Sequence, residues 1–203
     1  MTTSLGGPVV AAEKTGATNL KQFVEYAKKV DKVNWGAYGP GSTPHVLVET
    51  MAKQYGFKVE VVQYRGEAAM FADVTAQALD GASGSPAAAT PVIASGKGRI
   101  IAVVGDRLPG WPDVPTMTEA GLNNTQMEAS WHGLLAPART PAPIIARIEK
   151  EAQRAVNVPQ VREQYAKVEL KPVGSSAAEF RAMLVEAIKK LGEIVKIAGI
   201  QPE

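Results

Sequence analysis

No cysteine occurs among the 203 residues. Disulfides, zinc–thiolate sites and a cysteine nucleophile are therefore excluded, and the absence is compatible with an oxidising compartment. No apolar run is long enough to span a bilayer. There is no run of basic residues, and the formal net charge is only +2, so the sequence offers no nucleic-acid surface. The opening residues, Met-Thr-Thr-Ser-Leu-Gly-Gly, have neither a basic nor an apolar segment of the kind a signal peptide needs, and none is expected there. What remains is 45% hydrophobic and 21% charged, the balance of a soluble globular protein, with length for one large domain or two small ones.

One stretch organises the chain. Residues 34–45 read Asn-Trp-Gly-Ala-Tyr-Gly-Pro-Gly-Ser-Thr-Pro-His. They follow a short strand pattern at 32–35 and precede a helical pattern that runs to Tyr55. The three glycines permit a sharp turn and leave backbone N–H groups uncovered. Thr43 is a good N-cap, with Pro44 next at the first helical position. A strand, a glycine turn and a capped helix start suit an anion, because the helix end carries unpaired N–H groups and partial positive charge. A tightly turned loop without a ligand would read the same.

Around this stretch the sequence predicts alternating elements. A strand spans 5–12, and a helix capped by Thr18 or Asn19 spans 20–29 with Phe23, Val24, Ala27 and Val30 on one face. A β-rich run lies at 58–64, a helix at 67–78, a weak strand at 79–83, an alanine-rich helix to Gly96, and a fully apolar strand at 99–105. This is the pattern of a parallel sheet covered on both faces. Gly84-Ser85-Pro86 repeats the glycine–hydroxyl–proline junction of residues 41–44. In a parallel sheet both junctions fall at the carboxyl edge, where open α/β sheets bind ligands, and two such helix starts can converge on one anion.

Prolines 109, 112 and 115 mark a stiff connecting segment. A short helix is predicted at 117–120 and a strand at 128–135. Helices follow at 141–156, with Thr140 as cap, and at about 159–166, then a strand at 168–173. Ser175 or Ser176 opens a long amphipathic helix ending near Gly199, and Glu179 stands at capping-box spacing from Ser176. This second part is more helical and lacks a full sheet of its own.

At this point the residues match a known family. Residues 35–45, 63–66 (Gln-Tyr-Arg-Gly), 94–97 (Ala-Ser-Gly-Lys), 112–121 (Pro-Asp-Val-Pro-Thr-Met-Thr-Glu-Ala-Gly), 130–137 (Ser-Trp-His-Gly-Leu-Leu-Ala-Pro) and 140–143 (Thr-Pro-Ala-Pro) stand in the family's order. The chain resembles the substrate-binding receptors of tripartite tricarboxylate transporters, the Bug or TctC-like receptors of bacterial periplasms. The resemblance implies an α/β, two-lobed type II periplasmic binding protein fold, with a small carboxylate held in the cleft by backbone N–H groups, hydroxyls and bridging waters. It implies a periplasmic location, membrane transporter subunits as partners, and no cofactor. Against the family pattern, residues 1–125 correspond to the whole second lobe and 126–203 to the C-terminal part of lobe one. The family's earlier region, with its signal peptide, the first strands of lobe one and a Pro-Gly-Gly loop, is not in this chain. The strands left without partners in 126–203 fit that correspondence. They also make association of two copies through 126–203 an expectation. Gly84 stands where the family often carries an acidic residue, which favours a plain carboxylate over a ligand with an amino group. Gln77 replaces a usual glycine and reads as a surface detail.

The candidate ligand-binding residues are Gly41, Ser42 and Thr43 at one junction, Gly84 and Ser85 at the other, Arg65 as a possible partner of a carboxylate, and Tyr38, which either walls the pocket or covers the core. No catalytic residue and no metal ligand is assigned. His45, Trp131 and His132 read as structural. The rival readings are a hydrolase using Ser42 with His45, and an interaction remnant that binds nothing. The hydrolase lacks a Gly-x-Ser-x-Gly elbow and an acidic residue placed to orient His45.

Overall fold

The computed structural model describes residues 2–4, 6–122 and 131–198. Two sheets divide the elements. The larger has five strands: β2 (Gly6–Ala12), β3 (Val33–Ala37), β4 (Val59–Gln63), β5 (Gly81–Ser83) and β6 (Gly98–Gly105). Their order is β4-β3-β5-β2-β6. Strand β3 runs parallel to both β4 and β5, whereas β2 runs antiparallel to β5 and to β6. The expectation of a purely parallel sheet is thereby corrected. An apolar run buried on both faces looks the same in either direction, so direction is not written in the pattern. The extra strand enters from the neighbouring sheet rather than by a helical crossover from its pairing partner.

Helices cover both faces. On one side α1 (Leu20–Ala27) and α2 (Thr43–Tyr55) pack with the segment around Met117 and Leu122. Their core joins Val9, Phe23, Trp35, Leu47, Met51 and Ile101. On the other side α3 (Glu67–Thr75) and α4 (Pro86–Ala94) bury Val10, Met70, Phe71, Val74, Ala82 and Val92. Val9 and Val10 thus serve opposite faces, as the two-residue period of a strand requires. Trp35 meets the Phe23 ring edge-on at 5.7 Å. It fits because position 81 has no side chain: a Cβ on Gly81 would stand 2.5 Å from Trp35 Cζ3 and 2.6 Å from the Val10 carbonyl oxygen.

Local signals set most helix ends. Asn19 caps α1, accepting from Gln22 N at 3.0 Å. Ser42, rather than Thr43, occupies the N-cap of α2, and Pro44 sits at its second position. Residues 117–120 form a turn rather than a helix, closed by Glu119, which accepts from Thr116 N at 2.8 Å. Gln77 is more than a surface detail. It stands at φ 62°, a conformation that favours glycine. Its side chain accepts from Lys14 N at 2.7 Å and donates to the Lys97 carbonyl at 2.8 Å, tying three segments together.

The smaller sheet has the order β7-β1-β8, where β1 is Thr2–Ser4, β7 is Trp131–His132 and β8 is Leu170–Pro172. Strand β1 pairs antiparallel with both neighbours. The two strands of the C-terminal part therefore have a partner within the chain, contrary to expectation: its first residues return to them, a pairing too remote in sequence for a local pattern to announce. Around this sheet lie α5 (Ala142–Ala155), α6 (Pro159–Lys167) and α7 (Ala177–Ala198). The expected capping box is formed. Glu179 Oε2 accepts from Ser176 N and Oγ, each at 2.8 Å, and Glu179 N donates to Ser176 Oγ at 3.2 Å. The expected boundary at 125 and the expected strand start at 128 lie outside the described residues.

Candidate anion-binding site

The site is built at the carboxyl ends of three adjacent parallel strands. Strand β3 is central, with Ala37 opposite Gln63 of β4 and Gly36 opposite Ala82 of β5. The loops that follow all open on this edge.

After β3, Gly39 and Gly41 adopt φ of 118° and 73°, which turns the chain into α2. The loop is tied down by Gly39 N, which donates to Gln63 Oε1 at 2.9 Å, and by Gly41 N, which donates to His45 Nδ1 at 3.1 Å. That second bond makes Nδ1 the acceptor, so the neutral ring carries its proton on Nε2. Glu49 Oε1 lies 4.0 Å from Nε2, one turn further along. An acidic group thus does flank His45, which the sequence reading did not place. Ser42 and His45 form no hydrogen bond, however. Ser42 Oγ is buried with no hydrogen-bond partner among the described residues. Thr43 opens the helix beside it, and its N–H belongs to the first turn, where no intrahelical carbonyl is available. Val195 of α7 comes to 4.0 Å from where a Cβ on Gly41 would be.

After β5, Ser85 caps α4, accepting from Ala88 N at 3.3 Å. Both of its own donors go to the first residue of α3. Ser85 N reaches Glu67 Oε1 at 3.1 Å, and Ser85 Oγ reaches Glu67 Oε2 at 2.5 Å. Burial first, then the nearby charge of Glu67, push the hydroxyl of Tyr38, in the loop after β3, up to about 12. Of the two readings of Tyr38, the structure shows the packing: its ring lies on the α3/α4 core. Ser83, the last residue of β5, is 2% exposed, and its hydroxyl has no hydrogen-bond partner among the described residues.

The structure thus joins Ser85 to Glu67, with Gly84 next to them and with Gly41, Ser42 and Thr43 on the neighbouring loop. Arg65, in the loop after β4, is exposed and forms no ion pair among the described residues. Sequence reasoning passed over Glu67, Ser83 and Val195. Glu67 had a signal, an acidic residue directly after a loop glycine at a helix start. Its partner, 18 residues away, had none. Chemically, the edge presents the Ser42 hydroxyl and the N–H of Thr43 at the start of α2, while the Ser85 N–H and hydroxyl are both taken by Glu67. Among the described residues no group of three or more His, Asp or Glu side chains could hold a metal ion.

Comparison with known proteins gives the family and the fold. Residues 1–200 match the family described as "Tripartite tricarboxylate transporter family receptor". A UPF0065 protein of Bordetella pertussis is 27% identical over 189 residues, which cover 92% of this chain and 58% of that protein. Among solved structures, R. palustris Rpa4515 with adipate superposes with a TM-score of 0.91 at 23% identity, over 99% of this chain and 68% of that one. The periplasmic binding protein BugD gives 0.87 at 24% identity, over the whole of this chain and 71% of that one. The chain spans little more than half the length of the Bordetella relative.

Proposed function

The chain belongs to the tripartite tricarboxylate transporter receptor family, and from that premise we propose that it binds a small carboxylate as the solute-recognition part of a periplasmic receptor that delivers its ligand to a tripartite tricarboxylate transporter. The family is one of receptors rather than enzymes. Ligand contacts are assigned to Gly41, Ser42, Thr43, Tyr38, Gly84 and Ser85, with Arg65 able to swing in from the rim. Residues 1–125 and 126–203 are taken as two lobes, and 126–203 as the surface through which copies associate. Transporter subunits and the small carboxylate are the partners, and nucleic acid is not one.

The observation that carries the reading is the buried Ser42 hydroxyl without a partner at the first turn of α2. A buried hydroxyl with no hydrogen-bond partner among the described residues costs stability unless something else meets it. A carboxylate oxygen would accept from Ser42 Oγ and from the N–H of Thr43 together. The adipate named with Rpa4515 is in keeping with this chemistry.

Isothermal titration of the chain with small carboxylates tests the proposal. Weak, saturable binding is expected, reduced at least about tenfold by Ser42→Ala if the hydroxyl donates to a charged group. Binding unaffected by Ser42→Ala, or turnover of an activated ester by Ser42, would count against it.

A further inference from the structure

From Gly39 to Ser42, the loop between β3 and α2 spends its backbone donors inside the protein. Gly39 N donates to Gln63 Oε1 at 2.9 Å, Gly41 N to His45 Nδ1 at 3.1 Å, and Ser42 N to the Gly39 carbonyl at 3.2 Å. Pro40 has no N–H to give. What is left for a ligand is the Ser42 hydroxyl and the Thr43 N–H. Where those two donors stand is set by the turn at Gly41, whose φ of 73° leads the chain into α2.

The tie on Gly41 itself comes from His45, in the first turn of the helix that the loop enters. The His45 side chain is 14% exposed, so little water competes for Nδ1. Glu49 Oε1, 4.0 Å from Nε2, lies on the side where this tautomer carries its proton. A neutral imidazole has one acceptor nitrogen, and here it is committed to Gly41. It is therefore not free to take a proton from Ser42, as a general base would.

Resting on the receptor reading above, we propose that His45 is a positioning residue of the carboxylate site: its Nδ1 holds Gly41, and through Gly41 it sets the Ser42 hydroxyl and the Thr43 N–H for one ligand oxygen before the ligand arrives. A loop ordered in advance has less freedom to lose on binding. Without the acceptor, the Gly41 N–H turns to water and the ligand itself must order the loop.

The test titrates adipate, succinate and benzoate calorimetrically into the wild-type chain, His45→Asn, His45→Leu and His45→Ala at about pH 8, where an imidazole is uncharged. The Asn oxygen stands as many bonds from the backbone as His Nδ1, so His45→Asn keeps an acceptor within reach of Gly41 N, and the other two variants do not. His45→Leu and His45→Ala are expected to bind at least about tenfold more weakly than the wild type, and His45→Asn within about threefold of it. Helix propensity ranks Ala and Leu above Asn. A role confined to stabilising α2 would therefore weaken His45→Asn most, and thermal melting reads that order separately. Wild-type affinity in His45→Leu and His45→Ala, or His45→Asn as weak as they are, would overturn the inference while leaving the receptor standing. Amide exchange at Gly41 adds an arm without ligand: protection kept in His45→Asn and lost in His45→Leu and His45→Ala is expected, and equal protection in all of them overturns the inference. Failure of all three acids to bind the wild type would remove the receptor reading and the inference with it.

Discussion

Asp80 and Glu60 each hold a lysine at 2.9 Å, yet they belong to different physical regimes. The Lys14–Asp80 pair has side chains 32% and 4% exposed, against 50% and 56% for Lys32–Glu60. Asp80 also accepts from the Tyr26 hydroxyl at 2.8 Å and from Asn34 N at 2.6 Å, so it joins α1, β3 and the approach to β5. Removing it leaves partly buried donors unmet. Asp80→Ala is expected to destabilise the chain by about 2–4 kcal/mol. Lys32→Ala should change it by about 0–1 kcal/mol, because solvent screens the exposed pair. Urea unfolding of both variants measures the contrast, and equal midpoints would show that burial is not what separates the two pairs.

The capping box of α7 is a case in which four residues define an element boundary. Ser176 and Glu179 exchange side-chain and backbone hydrogen bonds. The bond from the Ser176 backbone, then that from its hydroxyl, hold the Glu179 carboxyl below the usual range. A carboxylate whose folded pKa is depressed contributes stability above its unfolded pKa and loses it as the pH falls through the folded value. The start of α7 should therefore fray on acidification through the carboxylate range. Ser176→Ala should cost about 1 kcal/mol at neutral pH. Amide exchange at the first turn of α7 reads both effects. Protection that is unchanged on acidification and in Ser176→Ala would assign this helix start to packing instead.

Across the whole molecule, apolar side chains are divided unevenly. The five-stranded sheet encloses a core on each face. The α5–α7 region instead leaves Leu134 71%, Leu135 76% and Ile188 69% exposed. A groove of about 770 Å³ runs between Leu134 and the Ile144/Ile148 side of α5. Of the stripe Phe180, Leu184, Ile188, Leu191 and Val195, only Phe180 is buried, against Trp131 with ring centroids 5.3 Å apart. Exposed apolar surface on this scale favours association. Strand β1 pairs with one side of β7 and one side of β8, and side-chain burial is the main driving force expected. At micromolar concentration the chain is expected to sediment as a dimer or larger, and Leu135→Lys with Ile188→Lys should shift it to monomer. A monomeric wild type would mean that this surface does not drive self-association.

The sequence alone determined the local punctuation of this protein. Strand and helix periods, helix starts at residues 18–19 and 175–176, the glycine turn before α2 and the repeated glycine–hydroxyl–proline junctions all act over a few residues, where backbone propensity and nearby hydrogen bonds decide the outcome. Tertiary structure decided what those pieces meet. The direction of β2, the return of β1 to strands more than a hundred residues away, and the contact of Trp35 with the bare backbone of Gly81 depend on which segments become neighbours. The same holds for the candidate site. Ser85 was legible because it caps the helix next to it in sequence, and Ser42 because it stands directly before Thr43 at the start of α2. Glu67 was not, because its carboxylate acquires a role only when β3 brings the loops after β4 and β5 together, and a hydrogen bond across 18 residues leaves no period in the chain.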